Sequence, residues 1–236
     1  MLGFDGKMKA LTFSYDDGVL QDERLINIFN KYGLKATFNL NSERFGISAK
    51  LVREGVEVDH TKFEAYEIKK VYAGHEVAAH TLTHPALCKL EDEQVICQVE
   101  QDRLNLCKLV DYEVRGMAYP GGGMNHDDRV VNIIQNHTNI EYARTILCTY
   151  DFEPQYDLLR FKPTVYHMEF DRMFELGEDF LNMTTARFSL LEGAEELVRY
   201  LAAKYPLTVV TNGFVEVQYE KFDKSGLRDC FAHIVL

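Results

Sequence analysis

Short apolar runs alternate with longer amphipathic stretches along most of the chain. Residues 9–15 are apolar and β-prone and stop at Asp16-Asp17-Gly18, which predicts a buried strand with two carboxylates at its C-terminal end. Residues 21–32 place Leu25, Ile26, Ile28 and Phe29 at helical spacing, and Gly33 stands where a helix would stop. A strand is expected over 36–40. The stretch 50–71 is mixed, with a short helix over 62–71. A strand over 76–79 runs into His80, and 91–110 reads as one long amphipathic helix. Next come a strand at 116–119, the loop Pro120-Gly121-Gly122-Gly123, a helix over 127–135, short strands at 142–145 and 159–163, and a helix over 169–181.

Strands alternating with helices predict parallel pairing. Ligands of such sheets gather at the C-terminal strand ends. Asp16-Asp17, His80–His84 and Tyr119-Pro120 each follow a predicted strand, so three distant segments are expected at one mouth.

Composition narrows the class of protein. The 236 residues suit one α/β domain, or one domain plus a fragment, and a hydrophobic share of 46% supplies a core. The formal charge of −11 argues against nucleic acid and anionic membranes as partners. Met1 to Lys9 contains no apolar signal-peptide core, so the chain as it stands reads as cytoplasmic; a leader trimmed from it would change that reading. The five cysteines form no C-x-x-C pair and read as buried apolar residues, with Cys88, Cys97 and Cys107 on one helical face.

The candidate chemistry lies in three segments. In Thr12-Phe13-Ser14-Tyr15-Asp16-Asp17-Gly18, two adjacent carboxylates at a strand end point in different directions, so one can meet a metal and the other a substrate; Asp-Gly alone also marks an ordinary turn. In His80-Thr81-Leu82-Thr83-His84-Pro85, histidines at i and i+4 are expected on one side of a helical turn. With a carboxylate they make a His-His-Asp set that leaves positions open for water. In Arg115-Gly116-Met117-Ala118-Tyr119-Pro120-Gly121-Gly122-Gly123, glycines let backbone N–H groups come close to a ligand.

Together these segments resemble the NodB-homology polysaccharide deacetylases, carbohydrate esterase family four, from about Lys9 to Leu181. The resemblance implies a distorted (β/α) barrel and removal of acetyl groups from N- or O-acetylated sugars. It implies that Asp17, His80 and His84 bind a divalent metal, zinc first and cobalt, nickel or iron as alternatives. It makes Asp16 the base, and the backbone at Tyr119, Pro120 and Gly121 the oxyanion support.

The chain also departs from that family. The arginine expected two residues before the proline, as partner of the base, is Ala118, so Arg115 or Arg144 would have to supply the charge. The aromatic residue expected after the proline is Gly121, and the chain has no tryptophan for a later motif. The final strand with its general-acid histidine is not recognisable; His167 is the one nearby candidate, and an ordinary surface histidine is the competing reading.

Beyond Arg187 the character changes. A helix over 194–204, a strand over 207–210 ending in Thr211-Asn212-Gly213, a further helix and a strand over 231–236 resemble a Rossmann-like βα fragment of a haloacid-dehalogenase-like phosphatase. In that family Thr211 would hold a phosphoryl group. The Asp-x-Asp nucleophile pair, the downstream lysine and the acidic magnesium site are missing, so a phosphatase is the weaker alternative. The expected division is a deacetylase-like domain over 1–185 and a second piece over 186–236, joined by gene fusion, by deletion or by replacement of the last strands. A carbohydrate-binding relative without activity is the remaining alternative.

Overall fold

A computed structural model describes residues 10–53, 55–186, 189–211 and 215–235. Lys9, the joint at Arg187–Phe188, Asn212, Gly213 and Leu236 lie outside the described residues. The elements are β1 (Phe13–Asp16), α1 (Asp22–Lys31), β2 (Ala36–Leu40), β3 (Lys50–Arg53), β4 (Val56–Asp59), α2 (Ile68–Val71), β5 (Glu76–Ala79), α3 (Asp92–Ile96), α4 (Asp102–Val110), β6 (Gly116–Ala118), α5 (Asp128–His137), β7 (Tyr142–Arg144), α6 (Phe170–Ala186), α7 (Ala194–Ala202), β8 (Leu207–Val210), α8 (Val215–Ser225) and β9 (Phe231–Val235). They fall into two compact units, residues 1–164 and 165–236. No helix among the described residues is long and apolar enough to cross a membrane.

The first unit is built on a five-stranded sheet in the order β1-β2-β5-β6-β7, every pair parallel. The strands are short and mostly buried, and their connections carry helices, as the alternation of apolar runs predicts. In α1, Ile26 and Phe29 enter the core, acids occupy the first turn, and Gly33 turns left-handed (φ 67°) where the helix ends. In α5, the Asp127 side chain caps the helix through the Val130 N–H at 2.8 Å, and Val130, Val131, Ile133 and Ile134 pack inward. Phe38, Leu40, Val77, Val95, Val99, Leu106 and Met117 form the centre of the core.

The sheet is curled. Arg144 at the end of β7 donates from Nε to Ser14 Oγ at 2.9 Å and from its terminal nitrogen to Asp16 Oδ1, both on β1. These are the two edge strands. In a flat sheet, four strand spacings of about 4.8 Å would hold them roughly 19 Å apart, more than an arginine and a serine side chain can bridge. The edges therefore approach each other as in an incompletely closed barrel.

Four expectations need correction. The stretch 50–71 contains the β3–β4 hairpin, and residues 62–64 are extended; helix begins only with a 3₁₀ turn at Ala65–Glu67. Residues 91–110 are not one α-helix. A π-helical segment, Cys97–Gln101, separates α3 from α4. Residues 159–163 are not a strand: a 3₁₀ turn at Leu158–Arg160 leads to a single parallel bridge between Phe161 and Arg144. The cysteines are not buried, since Cys97 is exposed and the other four are half-buried. Val95, Val99, Leu106 and Val110 occupy the buried stripe of α3 and α4 instead.

In the second unit, β8 and β9 pair in parallel, with α8 between them in the chain. Among its described residues, Leu176 and Leu227 are the buried apolar ones.

Candidate metal centre

β1 ends at Asp16, and the backbone then turns left-handed twice, at Asp17 (φ 82°) and Gly18 (φ 66°). That reversal swings the two neighbouring carboxylates apart. Gly18 is needed sterically as well, because a Cβ there would lie 2.9 Å from Leu40 Cδ2. The Asp17 N–H is anchored on Asn39 O at 2.9 Å, so the turn is tied to the end of β2.

His80 follows β5 directly. Its backbone N–H donates to Leu40 O at 2.8 Å and to Asp102 Oδ2 at 3.0 Å. Its ring Nδ1 lies 2.8 Å from Ala118 O. A carbonyl can only accept, so Nδ1 carries the proton and Nε2 is left with a lone pair for a ligand.

The chain between His80 and His84 is a loop, not the helical turn that the i,i+4 spacing predicts. Thr81 (φ 68°) and His84 (φ 65°) are both left-handed, and the two rings meet edge to face with centroids 4.9 Å apart. This strained conformation, of the kind that collects at functional sites, is held from behind. Leu82 N–H donates to Gln98 O at 3.0 Å, a carbonyl of the π-helical segment, and Thr83 N–H donates to Gln98 Oε1 at 3.1 Å. Asn41 Nδ2 donates to the His80 and Thr81 carbonyls. Burial holds His84 below the ordinary imidazole range, and the neighbouring His80 lowers it further. Its neutral form, the one that binds cations, is thereby favoured.

Asp17, His80 and His84 each offer one ligand atom within 4.8 Å of the others. Atoms that share one cation at about 2 Å stand no more than about 4 Å apart, so small side-chain rotations would close the set. Two imidazoles from the loop after β5 and one carboxylate from the turn after β1 fit a divalent cation with open positions.

Asp16 faces the same mouth without joining that set. Oδ1 accepts from Arg144 and, at 2.9 Å, from Asn39 Nδ2. Burial alone would push this carboxyl up, but the neighbouring His80 ring, the Arg144 guanidinium and these hydrogen bonds outweigh it and hold it below the usual carboxylate value. Asp16 is thus kept ionised.

The other expected residues divide sharply. Arg115 sits on the surface, paired with Glu113 at 3.3 Å and Glu141 at 3.6 Å, and it is Arg144 that reaches Asp16. Tyr119 spends its N–H on Arg144 O at 3.0 Å, and Pro120 has no N–H, so of the three expected oxyanion residues Gly121 (φ 80°) is the one whose N–H can serve. Asn125 Nδ2 bridges the Tyr119 and Gly121 carbonyls at 3.3 and 3.2 Å and fixes that loop. His167 belongs to the second unit, exposed and beside the Tyr166 ring. Thr211, also in the second unit, directly follows β8, with its N–H on Val235 O and its hydroxyl 3.3 Å from Gln218 Oε1.

Sequence reasoning missed His60 and Lys62. His60 Nε2 lies 3.3 Å from Asp17 Oδ2, and Lys62 Nζ lies 3.6 Å from Asp17 Oδ1. No periodicity marks them, because tertiary pairing places them: Lys62 bridges to Val19, with Leu20 N–H on Thr61 O at 3.0 Å and Phe63 N–H on Gly18 O at 3.1 Å. Asp102 was also missed. A fully buried aspartate on the inner face of an amphipathic helix is the signal that marks it.

Residues 4–142, more than half of the chain, match the family model described as polysaccharide deacetylase. The chain belongs to the polysaccharide deacetylase family. In three dimensions this family member is similar to the deacetylase PplD of Streptococcus pyogenes, solved in complex with acetate, at 18% identity and a TM-score of 0.53 over 66% of this chain and 64% of that one. It is similar to BC0361, a polysaccharide deacetylase of Bacillus cereus, at 20% identity and a TM-score of 0.52 over 67% and 49%. It is also similar to the BpsB deacetylase domain of Bordetella bronchiseptica, at 13% identity and a TM-score of 0.51 over 64% and 69%. At these identities the likeness is one of fold, and it agrees with the distorted (β/α) barrel of the NodB type. The chain spans about half to two thirds of the length of these polysaccharide deacetylase structures. No curated protein matches the sequence significantly.

Proposed function

We propose that the chain is a divalent-metal-dependent hydrolase that removes acetyl groups from acetylated sugars, attacking the carbon–nitrogen bond of an acetamide. The observation that carries this reading is the convergence of Asp17, His80 and His84 beside an Asp16 carboxylate that Arg144 keeps ionised. When bound, the cation supplies Lewis acidity to the acetyl carbonyl and to water. Zinc suits two neutral imidazoles and a carboxylate, and cobalt, nickel or iron would be accepted by the same donors.

The chain's own residues supply the rest. Asp16 takes the proton from the attacking water. The Gly121 N–H supports the oxyanion. Arg144 holds Asp16 in place and in its charged form. Protonation of the departing amine falls to Asp16, returning the proton it took. The Streptococcus pyogenes relative holds acetate, the product this reading gives to the present chain.

The test is metal content of the purified protein beside His80→Ala and Asp17→Ala, followed by acetate release from an N-acetylated oligosaccharide. About one metal per chain, lost in both variants, with acetate release that depends on Asp16, is the expected result. A wild-type protein that takes up no metal after reconstitution would sink the reading. Metal uptake and glycan binding without acetate release would make it a binding protein.

A further inference from the structure

Lys62 is an anomaly in the first unit. Its side chain is 1% exposed, and its Nζ makes no hydrogen bond among the described residues. An unsatisfied buried ammonium is costly, and this one points at Oδ1 of Asp17 from 3.6 Å. The extended segment 61–63, hydrogen-bonded to residues 18–20 on one side and through Lys62 N–H to Ile47 O on the other, leaves the side chain little freedom to turn away.

We infer that Lys62 is a positioning residue of the metal centre: its ammonium, set against Oδ1 of Asp17, disfavours that oxygen as a ligand, so that the carboxylate turns Oδ2, the oxygen His60 Nε2 approaches at 3.3 Å, to the cation. The inference rests on the reading that Asp17, His80 and His84 bind a metal. Carboxylates bind divalent cations through one oxygen or two. A carboxylate held to one oxygen leaves an additional coordination position for water or substrate, which a hydrolytic centre needs. The lysine's charge also opposes the cation, so it trades affinity for an open, more electrophilic site.

Co²⁺ serves as the probe, since its visible absorption reports coordination number. Titration of the full chain compares wild type with Lys62→Met and Lys62→Gln. Lys62→Met, which removes both charge and donor, is expected to bind Co²⁺ at least about tenfold more tightly and to lose absorption intensity as Asp17 becomes bidentate. Lys62→Gln, which keeps a donor without the charge, is expected to bind more tightly while retaining the wild-type spectrum. A folded Lys62→Met protein with unchanged or weaker affinity and the wild-type spectrum overturns the inference. Should Lys62→Met fail to fold, Lys62→Gln carries the affinity test. The carboxylate infrared difference spectrum of the wild-type protein on adding Co²⁺ stands independently of both, and a bidentate signature there overturns the inference. Failure of the underlying reading looks different: wild type then takes up no Co²⁺, or His80→Ala takes up as much.

Discussion

Arg144 and Ala118 are register partners on neighbouring parallel strands, so their side chains share one face of the sheet. The family pattern sets an arginine at the position of Ala118, and here the guanidinium reaches Asp16 from the adjacent strand instead. The same residue bonds Ser14 across the gap between the two sheet edges. One side chain thus both orients the proposed base and ties the curled sheet together. Ala118 in turn gives its carbonyl to His80.

Arg144→Ala is expected to lower kcat for acetate release by about 10²-fold or more, within the range for a displaced general base, with little change in KM and with metal still bound. The melting temperature falls too, because Ser14 and Asp16 lose their partner. Arg144→Lys, which keeps charge without the two-pronged geometry, recovers part of each loss. Introducing Ala118→Arg into the Arg144→Ala protein is expected to restore part of kcat. Unchanged kcat in Arg144→Ala, with the fold intact by circular dichroism, would remove Arg144 from the site.

Asp102 is expected to matter for metal binding without touching the metal. Its carboxylate receives the His80 N–H at 3.0 Å and the Ser42 N–H at 2.7 Å, joining the ends of β5 and β2. Asp102→Asn keeps the shape but turns one of the two acceptors into a donor facing an N–H. The expected cost is about 1–3 kcal/mol of stability and a roughly 10- to 100-fold loss of metal affinity. Urea unfolding and Co²⁺ titration measure the two. A stability loss with full metal affinity would make Asp102 a purely structural residue.

Much of this was legible in the chain itself. The apolar runs of β1, β2, β5 and β6 and the stripe of α5 follow from local pattern, and the strand ends then bring Asp16, Asp17, His80 and Tyr119 to one side of the sheet. Long-range hydrogen bonds decided the rest. The His80–His84 spacing fits a helical turn, but Gln98, Asn41 and Asp102 hold that segment in a left-handed loop. His60 and Lys62 sit in a stretch of mixed polarity whose path is fixed by pairing with residues 18–20, some forty residues away in sequence. Arg144 was one of two arginines open to the role. Only the curl of the sheet, which no local pattern encodes, brings it to Asp16.

The Asp22–Tyr72 pair gives a pH test of the first unit. Asp22 is buried, accepts from the Tyr72 hydroxyl at 2.8 Å, and is pushed up to about 7 by burial; the Tyr72 hydrogen bond and the Lys62 charge only partly offset that rise. Its value in an unfolded chain is near 3.8. The folded state therefore holds this proton more tightly than the unfolded state does. The sign follows: stability from this group is fully present below about pH 4 and is lost as pH rises toward 7, by on the order of 1 kcal/mol per pH unit. Asp22→Asn keeps an acceptor for Tyr72 and cannot ionise. The variant is expected to match wild type near pH 4 and to become increasingly more stable than wild type toward pH 7. Thermal unfolding of the metal-free protein across that range measures the difference, and parallel curves for the two proteins would show that Asp22 ionises in the folded state as readily as in water.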